Sequence, residues 1–107
     1  MTTAFTMEQP FYTDCLIAAG LRPVILSPAD RATIHRIIYD ELCRDITTPA
    51  SRVAFETIAA RLIAQGADSL ILGCTEVGML LHQGNVAVPV FDTARVHCQA
   101  ALDLALA

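Results

Sequence analysis

The sequence contains no lysine and no Cys-x-x-Cys pair among its 107 residues. A pyridoxal phosphate enzyme anchors its cofactor through a lysine Schiff base, so this chain alone cannot supply that anchor. The seven basic residues are all arginines scattered along the chain, and the net charge is −4. Because no basic patch or stripe is present, we expect no nucleic-acid partner.

Long apolar runs are also missing, because Asp, Glu, Arg or Gln interrupts every candidate for a membrane-spanning segment. The first six residues, Met1 to Thr6, lack the basic start and the apolar stretch of a signal peptide. We therefore expect a cytoplasmic protein with no membrane partner. The four cysteines are isolated and lack the spacing of a zinc site, so we expect neither a bound metal nor a disulfide.

The composition, 54% apolar and 17% charged residues, predicts one globular domain over residues 1–107. Short apolar runs at 24–26, 70–72 and 88–91 alternate with segments of helical periodicity. This alternation predicts an α/β fold with an open parallel sheet flanked by helices. Capping residues mark the predicted helix starts, at Thr6, Ser27, Thr48 and Asp92 or Thr93. Glycines mark the ends of the first and third helices, at Gly20 and Gly66.

A thiol follows the second apolar run, within the stretch Leu-Ile-Leu-Gly-Cys-Thr-Glu-Val-Gly-Met-Leu-Leu at 70–81. Gly73 lets the backbone turn, and Thr75 can cap a helix predicted to begin within one or two residues. Cys74 would then face free backbone N–H groups and the positive end of a helix dipole, which favours thiolate over thiol. A thiolate can take or return a proton, or attack a carbon. We therefore expect Cys74 to be the functional residue of this segment.

Simpler structural interpretations apply to other polar residues and thiols. Three cysteines and one histidine are predicted to lie in the core, as Cys15, Cys43, Cys98 and His97. Asp92 is interpreted as the cap of the last helix rather than as a catalytic acid. Even Cys74 could be a small buried residue at a turn. Helix starts or a frayed terminus would account for the remaining candidates, Thr3, Thr6, Thr75 and Glu76.

The sequence resembles the cysteine-dependent aspartate/glutamate racemase family. The family's C-terminal signature begins with two aliphatic residues and one position of any type. This chain matches it and continues with Gly73-Cys74-Thr75-Glu76, an apolar residue and Gly78-Met79. Further agreement lies in three separated segments, at 6–12, 34–43 and 91–97. Racemases that supply D-glutamate for cell walls carry histidine after Cys-Thr. Glutamate at that position in this chain therefore favours the aspartate racemase branch.

This resemblance implies cofactor-free racemisation of an amino acid, aspartate or glutamate, by two opposed thiols. Cys74 would exchange the α-proton from one face of the substrate. Thr75 would orient the substrate carboxylate or amine, and Glu76 would bind the amine or orient a neighbouring group. Thr3 and Thr6 match threonines that help to hold substrate in the family. Backbone N–H groups at helix starts would bind the substrate carboxylate.

The chain departs from the family because it matches only the C-terminal half. No Cys-Asn-Thr-like motif is present to provide the opposing thiol, and Thr2 stands where the family's Gly-Thr loop has glycine. The strand that precedes that loop in the family is missing. We therefore expect a fragment that is inactive alone and a sheet that lacks one strand. A homo-oligomer such as a dimer, a domain swap or a shifted strand would then cover the open edge.

Two other functions stay open at this point. The first is a non-catalytic remnant that binds a small carboxylate or pairs with another chain. The second, which the motif supports less well, is a one-cysteine decarboxylase or isomerase of the same superfamily, since these share the fold and the thiol chemistry. Solvent exchange of an α-proton separates a catalytic thiol from a remnant.

Overall fold

The computed structural model describes all 107 residues and contains five α-helices and two β-strands. Short 3-10 turns occupy three of the connections, at Leu42–Arg44, Val77–Met79 and Gln83–Asn85. The main elements are, in chain order, α1 (Ala4–Glu8), α2 (Pro10–Ala18), α3 (Pro28–Asp40), α4 (Pro49–Ala64), β1 (Leu70–Leu72), β2 (Val90–Asp92) and α5 (Thr93–Ala105). None of these helices combines the length and apolar character that crossing a bilayer requires.

The two strands pair in parallel, with Ile71 of β1 opposite Phe91 of β2. Parallel strands joined by a long crossover and flanked by helices confirm the predicted α/β class with an open sheet. The sheet is narrow, since these two strands are its full extent. Its carboxyl edge is defined by Leu72 and Asp92, which lie opposite each other in the register.

Helices α3 and α4 begin where their capping residues predicted. The Ser27 hydroxyl accepts a hydrogen bond from the Asp30 N–H at 3.2 Å, and the Thr48 hydroxyl accepts one from the Ser51 N–H at 3.0 Å. A proline follows each cap and fixes the first helical φ angle. Gly66 has a φ of +99° just beyond α4, a conformation in which a side chain would be strained. These ends are determined locally, which is why the sequence predicts them.

The first predicted helix is wrong at its start and in its continuity. Thr6 lies inside α1 instead of capping it, and the chain breaks between α1 and α2 at Gln9. Pro10 causes the break, because a proline ring pushes the preceding residue out of the helical region, and Gln9 is extended with a ψ of 143°. The predicted end is confirmed at Gly20, whose φ is +83°.

The predicted strand at 24–26 is also wrong. Residues 21–27 have no regular secondary structure, although Leu26 is buried against the core. No backbone hydrogen bond is made by residues 22–26. An apolar run becomes a strand only when a neighbouring strand accepts and donates its hydrogen bonds, and no such neighbour lies beside this segment.

The core lies between α3, α4, β1 and the turn that follows β1. The apolar faces predicted for α3 and α4 are confirmed, because Ile34, Ile37 and Ile38 of α3 and four residues of α4 are buried. The α4 residues are Phe55, Ile58, Ala59 and Leu62. Together with buried residues of β1 and the segment 77–81, they form one cluster.

The prediction of three core cysteines and a core histidine is wrong. All four side chains are exposed to solvent, those of Cys15, Cys43, Cys98 and His97. Two of the cysteines and the histidine lie on α2 and α5, and neither helix buries a single residue. Helical spacing predicts which residues share a face. It does not reveal whether another element covers that face.

Candidate active site

Cys74 lies just beyond the carboxyl end of β1, beside the carboxyl end of β2, as predicted. The Thr93 hydroxyl ties the two strand ends together by donating to the Leu72 carbonyl at 2.9 Å. Asp92 caps α5, as expected, because its carboxylate accepts a hydrogen bond from the Arg95 N–H at 3.2 Å. Proteins with open α/β sheets bind their ligands at this edge, so Cys74 lies at the usual position of a ligand-binding site in this fold.

The helix predicted to follow Cys74 is not present. The chain forms a turn at 74–76 and then a single 3-10 turn at Val77–Met79, with no side-chain cap. Farther along, the Gln83 side chain donates to the Val88 carbonyl and accepts from the Val90 N–H, which connects this segment to the start of β2. The prediction that Thr75 caps a helix is therefore wrong, and no helix dipole of useful length acts on the thiol.

A hydroxyl that sequence reasoning missed contacts the thiol directly. Thr2 Oγ1 lies 3.1 Å from Cys74 Sγ, within hydrogen-bond distance, and Thr2 is only 4% exposed. The two residues are 72 positions apart, so no local pattern could reveal the contact. It makes the N-terminal residues part of the site and fixes the position of the sulfur atom.

Gly73 is required by the close approach of the N-terminus. A Cβ at this position would lie 3.0 Å from the Thr2 Cβ atom, and the Gly73 N–H donates to the Met1 carbonyl at 2.9 Å. Gly78 has a similar role, because a Cβ there would lie 3.1 Å from the Asp92 carboxylate. Both glycines of the motif therefore allow close packing, Gly73 against Thr2 and Gly78 against Asp92.

Replacing Gly73 with alanine should destabilise the protein by about 1–3 kcal/mol, because the new methyl group would overlap the Thr2 side chain near its backbone. Urea unfolding of the variant measures this loss. The matched control is the same substitution in a Thr2→Gly background, where the side chain that it would strike is absent. An equal loss in both backgrounds would show that the contact is not the reason for glycine.

The Met1 amino group is buried beside the site and donates to the Ile71 carbonyl. Burial lowers the pKa of this amine from its usual value of 8.0 to about 6, and attraction to the Cys74 side chain opposes part of that effect. The folded chain therefore binds a proton at Met1 less readily than the unfolded chain.

A pH dependence follows for the 107-residue polypeptide. Since the unfolded state takes up the proton as the pH falls below 8 and the folded state only near 6, the unfolding free energy should fall by roughly 2–3 kcal/mol between pH 8 and pH 6. Below that window both states are protonated, and the loss is complete. Urea unfolding across this range tests it, with the N-terminally acetylated polypeptide as control. Equal pH dependence in the two proteins would contradict the assignment.

The other predicted site residues are only partly brought together. Thr3 Oγ1 and Thr6 Oγ1 lie 3.4 Å apart on the N-terminal segment that Thr2 connects to the thiol. Thr75 is exposed and Glu76 is half-buried on the turn after the thiol, and neither side chain makes a hydrogen bond. No group of three or more His, Cys, Asp or Glu side chains converges as a metal site.

Most of this chain is similar to one protein family. The model of the family described as Asp/Glu/hydantoin racemase matches residues 1–101. This chain belongs to the Asp/Glu/hydantoin racemase family. The resemblance predicted from the sequence is confirmed.

Two solved structures are similar to this member of the family over its whole length. A candidate Asp/Glu racemase from Yersinia pestis is 41% identical with a TM-score of 0.95, and an aspartate racemase homologue from Pyrococcus horikoshii OT3 is 30% identical with a TM-score of 0.91. All 107 residues are covered in both, whereas the match covers 47% of each relative. The chain thus spans about half the length of these relatives.

Proposed function

We propose that this chain is the thiol-bearing half of a cofactor-independent amino-acid racemase that acts on aspartate or glutamate. The observation that carries the proposal is the position of Cys74 at the carboxyl edge of the sheet, held by Thr2 at 3.1 Å. Membership of the racemase family supports a proton transfer at Cα rather than other thiol chemistry. The names of the two solved relatives support the acidic amino acid as substrate.

The proposed step is a proton exchange at one face of the substrate. The Cys74 thiolate takes the α-proton, so the Cα–H bond breaks, an S–H bond forms, and the electron pair remains on the substrate as a carbanion. Protonation of the opposite face by a second acid inverts the centre. Return of a proton from the Cys74 thiol to the same face restores the starting enantiomer. Sulfur protons exchange with solvent, so the second outcome leaves a solvent hydrogen at Cα.

We assign the substrate-binding roles to polar side chains on the two segments that meet at the thiol. Thr3 and Thr6 would bind the substrate from the N-terminal side, where their hydroxyls are already close to each other. Thr75 and Glu76 would bind the α-carboxylate and the amine from the turn after Cys74. The exposure of Thr75 and the unpaired Glu76 side chain support this, since both are free to contact a ligand.

The second acid is proposed to come from outside these 107 residues. The three remaining thiols are exposed on α2, on the 3-10 turn at 42–44 and on α5. None of them is close to Cys74 in sequence, and none is hydrogen-bonded to it. The chain alone would therefore be inactive as a racemase. Assembly with another polypeptide, or with a second copy, is supported by four largely exposed apolar side chains at the C-terminus, Val96, Leu102, Leu104 and Leu106.

The proposal is tested by following the α-proton of L- and D-aspartate in D2O by NMR, with the purified chain. We expect the α-proton signal of one enantiomer to disappear, because one thiol serves one face. Absence of exchange for both acidic amino acids, aspartate and glutamate, would favour the non-catalytic remnant. Turnover of a malonate or maleate analogue without amino-acid exchange would instead identify a one-cysteine decarboxylase or isomerase.

A further inference from the structure

Helix α1 begins without a cap from its own sequence. Its N-cap residue, Thr3, makes no side-chain hydrogen bond to the backbone N–H groups of the first turn. The Thr3 hydroxyl lies instead 3.4 Å from the Thr6 hydroxyl. The first N–H groups of a helix have no carbonyl partner within that helix, so their hydrogen bonds must come from outside it. For α1, the partner comes from α3.

That partner is the imidazole ring of His35. The Ala4 N–H, the first of α1, donates to His35 Nδ1 at 3.2 Å, although the two residues are 31 positions apart. A backbone N–H can only donate, so His35 Nδ1 must carry a lone pair and no proton. In the neutral ring the proton then lies on Nε2. The contact therefore selects one of the two neutral tautomers of His35.

The His35 ring is held in place by its own helix. Its centroid lies 4.7 Å from the centroid of the Tyr39 ring, one turn later on α3, with the ring planes at 44°. Two neighbouring residues of α3, Ile34 and Ile38, are fully buried in the core. Since the core fixes α3, the imidazole is a firm support for the start of α1.

The residues next to this support are those that meet the thiol. Thr3 immediately precedes Ala4 and has an extended backbone, with a ψ of 158°. Thr2 lies one residue earlier, and its hydroxyl is 3.1 Å from Cys74 Sγ. The contact between His35 and Ala4 is therefore only two residues away from the contact with the thiol.

The two ends of this segment differ in how they are anchored. Thr2 has a second anchor on its other side, because the backbone of Met1 is hydrogen-bonded to the chain at 71–73. Thr3 and Thr6 lie on either side of the backbone N–H that the imidazole binds. Loss of the imidazole acceptor should therefore disturb the Thr3 and Thr6 hydroxyls more than the position of the thiol.

We infer that His35 is a positioning residue, which caps α1 as the tautomer protonated on Nε2 and sets the positions of the Thr3 and Thr6 hydroxyls. Its effect on substrate rests on the proposed function, in which these two hydroxyls bind the substrate. Because the acceptor of His35 is bonded to Ala4 and not to Cys74, its loss should weaken substrate binding and leave the proton transfer itself intact.

The test compares two substitutions of His35. His35→Phe keeps an aromatic ring beside Tyr39 but has no acceptor, whereas the amide oxygen of His35→Asn can take the place of Nδ1. The matched control is His82→Phe, because His82 Nδ1 also accepts a backbone N–H, that of Gly84 at 3.3 Å, but within its own turn. Urea unfolding shows that each variant is folded.

Two measurements need no substrate. A nitrogen–proton correlation spectrum of the imidazole rings, at about pH 8 where free imidazole is neutral, should show the His35 proton on Nε2. Exchange of the Ala4 amide with water should be about 2- to 10-fold faster in His35→Phe, the factor that corresponds to one hydrogen bond, and unchanged in His35→Asn and His82→Phe. A His35 proton on Nδ1, or equal Ala4 exchange in His35→Phe and the unmodified chain, would overturn the inference.

The third measurement separates positioning from a general loss of structure. For α-proton exchange of aspartate in D2O, we expect His35→Phe to raise KM about 2- to 10-fold at nearly unchanged kcat, and His35→Asn to restore KM. A lower kcat at unchanged KM would overturn the positioning role, because a structural defect only reduces the number of active chains. If the unmodified chain exchanges no α-proton, the proposed function fails, and the ring spectrum and the Ala4 amide still decide whether His35 caps α1.

Discussion

Replacing Cys74 with serine should lower the rate of α-proton exchange by about 10²- to 10⁴-fold, the range observed when a general base is lost. Serine keeps the size and the hydrogen bond to Thr2, but its hydroxyl is far too weak an acid to exist as the conjugate base near neutral pH. The rate is measured from the α-proton signal of the reactive aspartate enantiomer in D2O. Urea unfolding of the variant shows that the fold is retained.

The matched control for this substitution is the triple variant Cys15→Ser, Cys43→Ser and Cys98→Ser. These three thiols are exposed, and none contacts the site, so exchange should proceed at the unchanged rate. Exchange at the original rate in the Cys74→Ser protein would contradict the assignment of Cys74 as the acid and base. Loss of exchange only in the triple variant would place the reactive thiol elsewhere.

Replacing Phe55 with alanine should destabilise the protein by about 3–5 kcal/mol. Phe55 is fully buried in α4 and is the largest of the fully enclosed side chains in the core. The substitution removes its contacts and leaves a cavity that the surrounding helices fill only in part. Since domains of this kind are stable by about 5–15 kcal/mol, the loss would be a large part of the total. Urea unfolding measures it directly.

The same helix offers the control, because Val53 is 59% exposed only two residues away. Val53→Ala should change the unfolding free energy by less than about 0.5 kcal/mol. Similar losses for the two variants would mean that α4 is oriented differently. A loss below about 1 kcal/mol for Phe55→Ala would contradict the position of the core.

The elements predicted correctly are those whose determinants are close in sequence. Ser27 and Thr48 cap helices through the amide three residues later, and Pro28 and Pro49 fix the first turns. The apolar spacing of α3 and α4 then identifies the faces that are buried. Prediction of these two helices needs no knowledge of the rest of the fold.

Two of the errors have a different cause, because they depend on which other elements of the fold lie beside a segment. The run at 24–26 lacks a neighbouring strand, and Cys15 and His97 lie on helices that no other element covers. Where a helix was expected after Cys74, the chain forms a 3-10 turn, and the Gln83 side chain then binds the backbone of Val88 and Val90. Pro10 was a visible signal for the break at Gln9, and local reasoning could have used it.

The sequence predicts the thiol of the candidate site but not the residues that surround it. Cys74 follows an apolar run and a glycine, so the sequence identifies it and places it at the sheet edge. The Thr2 contact joins residues at opposite parts of the chain, and Gly73 accommodates that contact rather than a special turn. Only the folded structure brings these groups together.

The most direct test of the central claim is the ratio of inversion to solvent exchange at Cα of aspartate. The purified chain is incubated with each enantiomer in D2O, and deuterium incorporation and the D/L ratio are followed together. Our account predicts deuterium in one enantiomer and no inversion, because Cys74 serves a single face. Formation of the opposite enantiomer as fast as deuterium enters would contradict it, since the chain would then supply both acids of a racemase.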